Sequence, residues 1–240
     1  MSRHYSIALD GPSGAGKSTI AKAIAKDYGF IYLDTGAMYR SFALYALNSG
    51  VDFSGAISDR GNDKALIALL DSFTLDVRYV DGVQRVFVGG EDYTDLIRTS
   101  EVTRAASAVA VVSAVRSRMV KLQRKIAEDA DVVMDGRDIG TYVLPNASVK
   151  IFITASALAR ARRRYRELIG KGDGSRTFEQ VYADMIERDK NDSSRSFAPL
   201  ARAEDAALLD TTDLDLQQSI DAVRAIIDSR IVRESSGSPA

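Results

Sequence analysis

The residues Gly11, Pro12, Ser13, Gly14, Ala15, Gly16, Lys17 and Ser18 match the pattern G-x-x-x-x-G-K-[ST] in full, with Thr19 next. Glycines at these positions let the backbone turn where a Cβ would block it, so that successive N–H groups point inward. Inward N–H groups at the start of a helix make an anion cradle. A lysine at position 17 is placed to reach the β and γ phosphates of a nucleoside triphosphate, and the Ser18 hydroxyl to join a Mg²⁺ shell. The pattern points to triphosphate binding and leaves the fate of the bound nucleotide open, since kinases, GTPases and motors all use such a loop.

Two further clusters could act on phosphate. Leu33-Asp34-Thr35-Gly36-Ala37-Met38-Tyr39-Arg40 sets a hydroxyl at a strand end and an arginine one helical turn beyond. It reads either as a second anion site or as a threonine N-cap with an exposed arginine after it. Asp135-Gly136-Arg137-Asp138 closes a later strand. In open parallel sheets ligands gather beyond the carboxyl ends of the strands. There Asp135 could hold a metal-bound water, with Arg137 and Asp138 facing the same crevice. The alternative is a surface turn carrying scattered charges.

These clusters need elements to hold them. Tyr5–Leu9 is a short apolar run, and Ile20, Ala21, Ile24 and Ala25 recur at helical spacing up to Gly29. Phe30–Leu33 reads as a strand and Ala37–Leu47 as a helix, a rhythm that predicts an α/β fold with a parallel sheet. Between residues 60 and 130 the rhythm changes. Lys64–Leu70 is helical, and Thr74–Tyr79 and Val83–Val88 alternate around the turn signal Asp81-Gly82. Helical patterns come next at Ser100–Val109 and Ser113–Glu128. Strands at Val132–Met134 and Val149–Ile153 then resume the core. Helices at Ala157–Leu168 and Phe178–Lys190 are joined by a glycine-rich connector, Gly170–Gly174, that reads as hinge-like. Ala206–Leu209 and Leu216–Ile227 supply a last strand and helix.

The 240 residues carry 32 Lys and Arg against 33 Asp and Glu, with no cysteine and one histidine. A net charge of −1 and the lack of an aromatic stacking pattern argue against nucleic acid as partner. Absence of cysteine excludes disulfides and thiolate zinc sites. No stretch reaches the roughly 18 apolar residues of a membrane helix, and the first residues lack a secretory h-region, so a cytoplasmic location is expected. Locally, Arg160, Arg162, Arg163, Arg164 and Arg166 crowd one segment, ahead of Arg188 and Arg195, a basic face suited to a small polyanion. His4 stands alone and has no expected role.

Taken together, IALDGPSGAGKST, YLDTGAMYR, EDYTDLIRTSEVTRAAS, DGRDIGT, VKIFITAS and ERDKNDSSRSFAPL resemble the bacterial cytidylate kinases, within the nucleoside monophosphate kinases, over roughly residues 5 to 228. The resemblance implies a P-loop parallel sheet flanked by helices in three layers, α/β/α, with an antiparallel monophosphate-binding insertion and a lid. As domains it implies a single unit over residues 1–240. Within it, residues 1–59 and 130–230 form the core with a lid at about 156–198, 60–129 the insertion, and 231–240 a disordered tail. It implies transfer of the γ-phosphoryl group of ATP to CMP or dCMP, with Mg²⁺, by a monomer. Lys17, Arg137, Arg188 and Arg195 would serve transfer, and residues 11 to 19 would bind ATP. Thr35 stands where relatives usually have serine. Thr35, Arg40, Ser107, Arg116, Arg137, Asp138, Arg188 and Asp192 would bind CMP: Arg40 and Arg137 its phosphate, Ser107, Arg116 and Asp138 its base, Arg188 and Asp192 its sugar. A carboxylate suits the N4 amino group of cytosine, and Arg or Ser its O2 and N3 acceptors. Ser18, and Asp135 through water, would hold the metal. Asn191 and Ser193 depart from the arginines relatives often carry there. Other readings are a kinase for UMP or another small acceptor, and a slowly hydrolysing nucleotide switch; the N-K-x-D element of GTPases has no counterpart in a suitable place.

Overall fold

The computed structural model describes residues 4–53, 64–80, 82–170, 172–195 and 198–235. In chain order the elements are β1 (Ser6–Asp10), α1 (Lys17–Tyr28), β2 (Ile31–Asp34), α2 (Thr35–Asn48), α3 (Lys64–Ser72), β3 (Leu75–Val80), β4 (Val83–Val88), β5 (Glu91–Asp92), α4 (Ser100–Val109) and α5 (Ser113–Asp129). After these come β6 (Val132–Gly136), β7 (Val149–Thr154), α6 (Ala157–Gly170), α7 (Phe178–Ser193), β8 (Ala207–Asp210) and α8 (Leu216–Ser235). A 3₁₀ turn at Leu96–Arg98 and a π-helix at Ile139–Val143 complete the set. The chain divides into two compact units, one of residues up to Phe30 with those from Asp131 onward, the other Ile31–Ala130.

In the first unit β1 pairs in parallel with β6 on one side and β7 on the other, and β8 extends the sheet beyond β7. The strand cores Ile7–Leu9, Val132–Met134 and Val149, Ile151 and Ile153 are at most 1% exposed. Such continuous apolar runs are what a parallel sheet covered on its faces requires. Helix α1 packs on β1 and β6 through Ile20, Ala21, Ile24 and Ala25, and α8 packs on β7, β8 and α1. Gly29, at φ +70°, closes α1 in the left-handed conformation glycine favours. A capping box between Thr177 and Gln180 opens α7, which pairs with α6. The expected α/β class with a parallel sheet is therefore the one observed. Lys171, within the expected connector, lies outside the described residues.

The last helix runs further than its apolar spacing suggested. Ile220, Val223 and Ile227 bury one face of α8, and the helix continues through residues 231–235, which were expected to belong to a disordered tail. Residues 236–240 lie outside the described part.

The second unit holds an antiparallel sheet in the order β3-β4-β5, with Val80 opposite Val83 at the hairpin end. Gly82 sits there at φ +73°, while Asp81 is outside the described residues. Helix α2 packs on α4, α5, β4 and the 3₁₀ turn. Phe42 of α2 meets Phe73 edge-on at 5.1 Å between ring centres. Two side chains of the hairpin hold β2. Gln84 Oε1 accepts the Asp34 N–H at 2.7 Å, and Tyr79 donates its hydroxyl to the Tyr32 carbonyl at 3.1 Å. This packing starts the unit at Ile31, ahead of the 60–129 span expected for an insertion, whose residues 60–63 are not described.

Candidate active site

The phosphate loop leaves β1 at Asp10 and enters α1 at Lys17. Gly11, Gly14 and Gly16 all have positive φ, at +142°, +74° and +87°. Gly11 also has a steric reason: a Cβ there would lie 1.9 Å from the Ile153 carbonyl oxygen of the neighbouring strand. Lys17 is 5% exposed and donates from Nζ to the Pro12 carbonyl at 2.7 Å, curling over the loop it belongs to. Burial, reinforced by the Arg137 cation, holds the Lys17 ammonium well below the ordinary lysine range, against the pull of Asp135 and Asp10. An anion bound in the loop would favour the charged form of this buried ammonium.

Ser18 Oγ donates to Asp135 Oδ2 at 2.7 Å. This brings a P-loop hydroxyl and the carboxylate at the end of β6 into contact, and the register explains it, because Leu9 lies opposite Asp135 and Asp10 opposite Gly136. Two hard oxygen donors, one in the first turn of α1 and one at the end of β6, fit a magnesium ion, which usually takes one or two protein ligands and leaves the rest of its shell to phosphate and water. The two residues expected to hold the metal are therefore neighbours in the fold.

A charged cluster surrounds the buried carboxylate of Asp192 near the end of α7. Arg137 Nε donates to its Oδ2 at 2.7 Å, and Arg195 donates to its Oδ1. Burial alone would raise the Asp192 pKa, but Arg137 and Arg195 outweigh it and hold the carboxyl below the ordinary range. A depressed folded-state pKa stabilises the fold above the unfolded value, about 4, and this contribution is lost as pH falls through the folded value. Asp192→Asn is therefore expected to lower unfolding free energy by roughly 1.5–3 kcal/mol at pH 7, as loss of charge-assisted bonds does. Urea unfolding at pH 7, 5 and 3 checks this: the gap between wild type and variant should narrow toward pH 3, and a gap independent of pH refutes the assignment.

The arginine run at the start of α6 separates by partner. Arg160, 5% exposed, donates to the Ala155 carbonyl at 2.8 Å and the Ser13 carbonyl at 3.1 Å, and pairs with Asp189 of α7 at 2.7 Å. Arg188 reaches the same loop residue, donating from Nη1 to Ser13 Oγ at 3.3 Å. Arg163 instead donates to the Thr211 and Leu214 carbonyls beyond β8. Arg164 pairs with Glu167 on the surface, and Arg162 and Arg166 are exposed. Sequence gave no specific role to Arg160. Its signal was its place at the head of the run, but its partners Asp189 and Ser13 lie 29 and 147 positions away. The contacts of Asp10, which directly precedes the loop, were likewise not legible: it accepts the Ile139 and Gly140 N–H groups.

In the second unit the expected acceptor residues sit on three helices that pack together. Thr35 opens α2, Ser107 lies on α4 and Arg116 on α5. The cap of α2 is Asp34, whose Oδ1 accepts the Ala37 N–H at 2.8 Å, so Thr35 is the first helical residue rather than the N-cap that its hydroxyl suggested. Asp34 Oδ2 accepts from Arg40 at 2.9 Å, so Arg40 is oriented rather than splayed into solvent. Arg116 is 3% exposed, donates to the Ala110 carbonyl at 3.4 Å and lies 5.9 Å from the Tyr39 ring centre. Ser107 Oγ donates back to the Thr103 carbonyl at 3.4 Å. Asp138, in the first unit, is 5% exposed immediately before the π-helix.

A phosphate loop at the end of a central parallel strand, with a hydroxyl and a carboxylate paired beside its lysine, defines the P-loop nucleotide-binding class. Solved structures agree on the fold: an uncharacterized protein from Eubacterium ventriosum superposes with a TM-score of 0.52 at 15% identity, covering 95% of this chain and 99% of its own. A gluconokinase from Sinorhizobium meliloti does so at 0.50 and 11%, covering 99% and 100%. The model of the cytidylate kinase family matches residues 7–229, and the chain belongs to that family. It is 47% identical to the cytidylate kinase of Geobacillus sp. strain WCH70 over 96% of this chain and all of the relative. Against the cytidylate kinase of Exiguobacterium sp. strain ATCC BAA-1283 it is 47% identical over 95% and 98%.

Proposed function

We propose that the protein transfers the γ-phosphoryl group of ATP to CMP or dCMP, releasing ADP and CDP or dCDP. Family membership supports the acceptor, and the contact between Ser18 and Asp135 beside Lys17 carries the reading as a phosphotransferase site. Residues 11 to 19 hold the triphosphate through the loop N–H groups and Lys17. Ser18, directly, and Asp135, through water, are the residues that fit Mg²⁺, which when bound neutralises phosphate charge. Arg40 and Arg137 hold the acceptor phosphate, Ser107, Arg116 and Asp138 read the base, and Arg188 and Asp192 meet the sugar.

No side chain need take a proton from the acceptor. A phosphate monoester loses its second proton near pH 6, so the attacking oxygen is already anionic at neutral pH. What the chain supplies is position and charge. Lys17, Arg137, Arg188 and Arg195 offset the repulsion between two polyanions and the charge that spreads over the transferred group. Pairing of Arg137 and Arg195 with Asp192 supports this use, because it holds both cations in place before any phosphate arrives. A cytoplasmic location belongs to the same proposal; no helix among the described residues is long and apolar enough to cross a membrane.

Turnover with ATP and Mg²⁺ on CMP, dCMP, UMP and AMP tests the proposal. CMP and dCMP should lead, and Asp138→Ala should lower kcat/KM for both by on the order of 10–10²-fold, the scale of a lost base-edge contact. A preference for UMP overturns the base assignment. ATP turnover without added monophosphate would favour a hydrolysing switch.

A further inference from the structure

Asp10 ends β1 one residue before the phosphate loop, is 5% exposed and has no part in the proposed transfer. Its Oδ1 accepts the Ile139 N–H at 2.8 Å and its Oδ2 the Gly140 N–H at 2.7 Å. Those two groups open the π-helix that comes after Asp138, and the Asp138 side chain provides no capping bond to it. The carboxylate thus caps a turn that starts 129 positions away, where the aligned N–H groups favour a negative charge. The fit is close from the other side as well. A Cβ on Gly140 would lie 3.4 Å from Asp10 Oδ2 and 3.1 Å from Lys150 Cδ. The Asp10 backbone is pinned between Gly136 of β6 and Phe152 of β7. Single-turn π-helices occur often at functional sites, and this one starts directly after Arg137 and Asp138. Burial pushes the Asp10 carboxyl up to about 6, against the Gly140 and Ile139 bonds that favour its charge.

We propose that Asp10 is a positioning residue for acceptor recognition: by gripping the Ile139 and Gly140 N–H groups it sets the place of Arg137 and Asp138 relative to the phosphate loop. Asp10 touches neither substrate. It ties the turn that bears the acceptor residues to the strand that bears the donor loop, so the CMP preference depends on it. The inference rests on the reading of Asp138 as a cytosine-binding residue.

The test compares kcat/KM for CMP and for UMP in wild type, Asp10→Asn, Asp138→Asn and the double variant, with folding checked by thermal melting. Asp10→Asn is nearly isosteric but turns one acceptor into an N–H group facing another N–H. The CMP to UMP ratio should fall about tenfold, the scale of a charge-assisted hydrogen bond. KM for CMP should rise more than KM for ATP, and the double variant should fall no further than Asp138→Asn alone. An equal loss on CMP and UMP, or a rise confined to KM for ATP, overturns the inference while leaving the cytosine reading intact. An unchanged ratio in Asp138→Asn defeats that reading first, and this inference with it. If Asp10→Asn does not fold, Asp10→Ser removes the charge and leaves one shorter acceptor for the two N–H groups. The ratio should narrow there too, and an unchanged ratio overturns the proposal.

Discussion

Lys17→Met is expected to lower kcat for transfer to CMP by at least about 10²–10³-fold, the usual effect of removing one preorganised donor from a developing charge. The physical case combines position and burial. The ammonium is 5% exposed, and its bond to the Pro12 carbonyl holds it against the loop. Methionine keeps much of the unbranched stem and removes the charge. Burial already disfavours the ammonium in the free protein, so the variant should unfold at the same denaturant concentration as wild type or a higher one. Collapse of activity with stability retained separates a catalytic cation from a packing residue. Steady-state kinetics alongside urea unfolding measures both, and activity within about threefold of wild type, far short of the loss of one such donor, would refute the assignment.

Gly11→Ala is the second large effect, and it acts through the backbone. A methyl group there would sit 1.9 Å from the Ile153 carbonyl oxygen, far inside any tolerable contact. Neither partner can rotate away, since the obstacle is a main-chain atom of β7, the strand that pairs with β1. The φ of +142° adds strain for any residue with a Cβ, typically about 1–3 kcal/mol. A total loss of at least about 3 kcal/mol in unfolding free energy is expected, together with loss of ATP binding as the strand end shifts. Calorimetric unfolding and nucleotide titration would check it. A variant as stable as wild type would refute the steric role assigned to Gly11.

Much of this architecture is legible in the chain itself. Strands β1, β6 and β7 announce themselves as short apolar runs. Helices α4 and α5 begin at the residues their periodicity indicates, Ser100 and Ser113. Elements without periodicity were missed. The two-residue strand β5 exists because Phe87 and Val88 pair with it, and the π-helix at Ile139–Val143 because Asp10 meets its first N–H groups. The residues around Thr35 left open whether its hydroxyl caps α2, and the cap is instead the preceding Asp34. Both are good capping residues, and the position went to Asp34, which is also held through its backbone by Gln84.

Local chemistry was enough to specify the phosphate loop, because glycine φ angles and the strand–turn–helix order are written within the few residues from Asp10 to Ser18. It was enough for most element types too, through side-chain repeats of about 2 and 3.6 residues. Folding alone settled which donor meets which acceptor: Arg137 and Arg195 with Asp192, Arg160 with Asp189 and the Ser13 carbonyl, and the N–H groups of the turn after Asp138 with Asp10. The arginines of the run are alike in local sequence. Their separation into buried and solvated ones depends on which carbonyls and carboxylates come within about 3 Å, the reach of a hydrogen bond. That distance is set by strand register and helix packing between residues far apart in the chain, where no local pattern reaches.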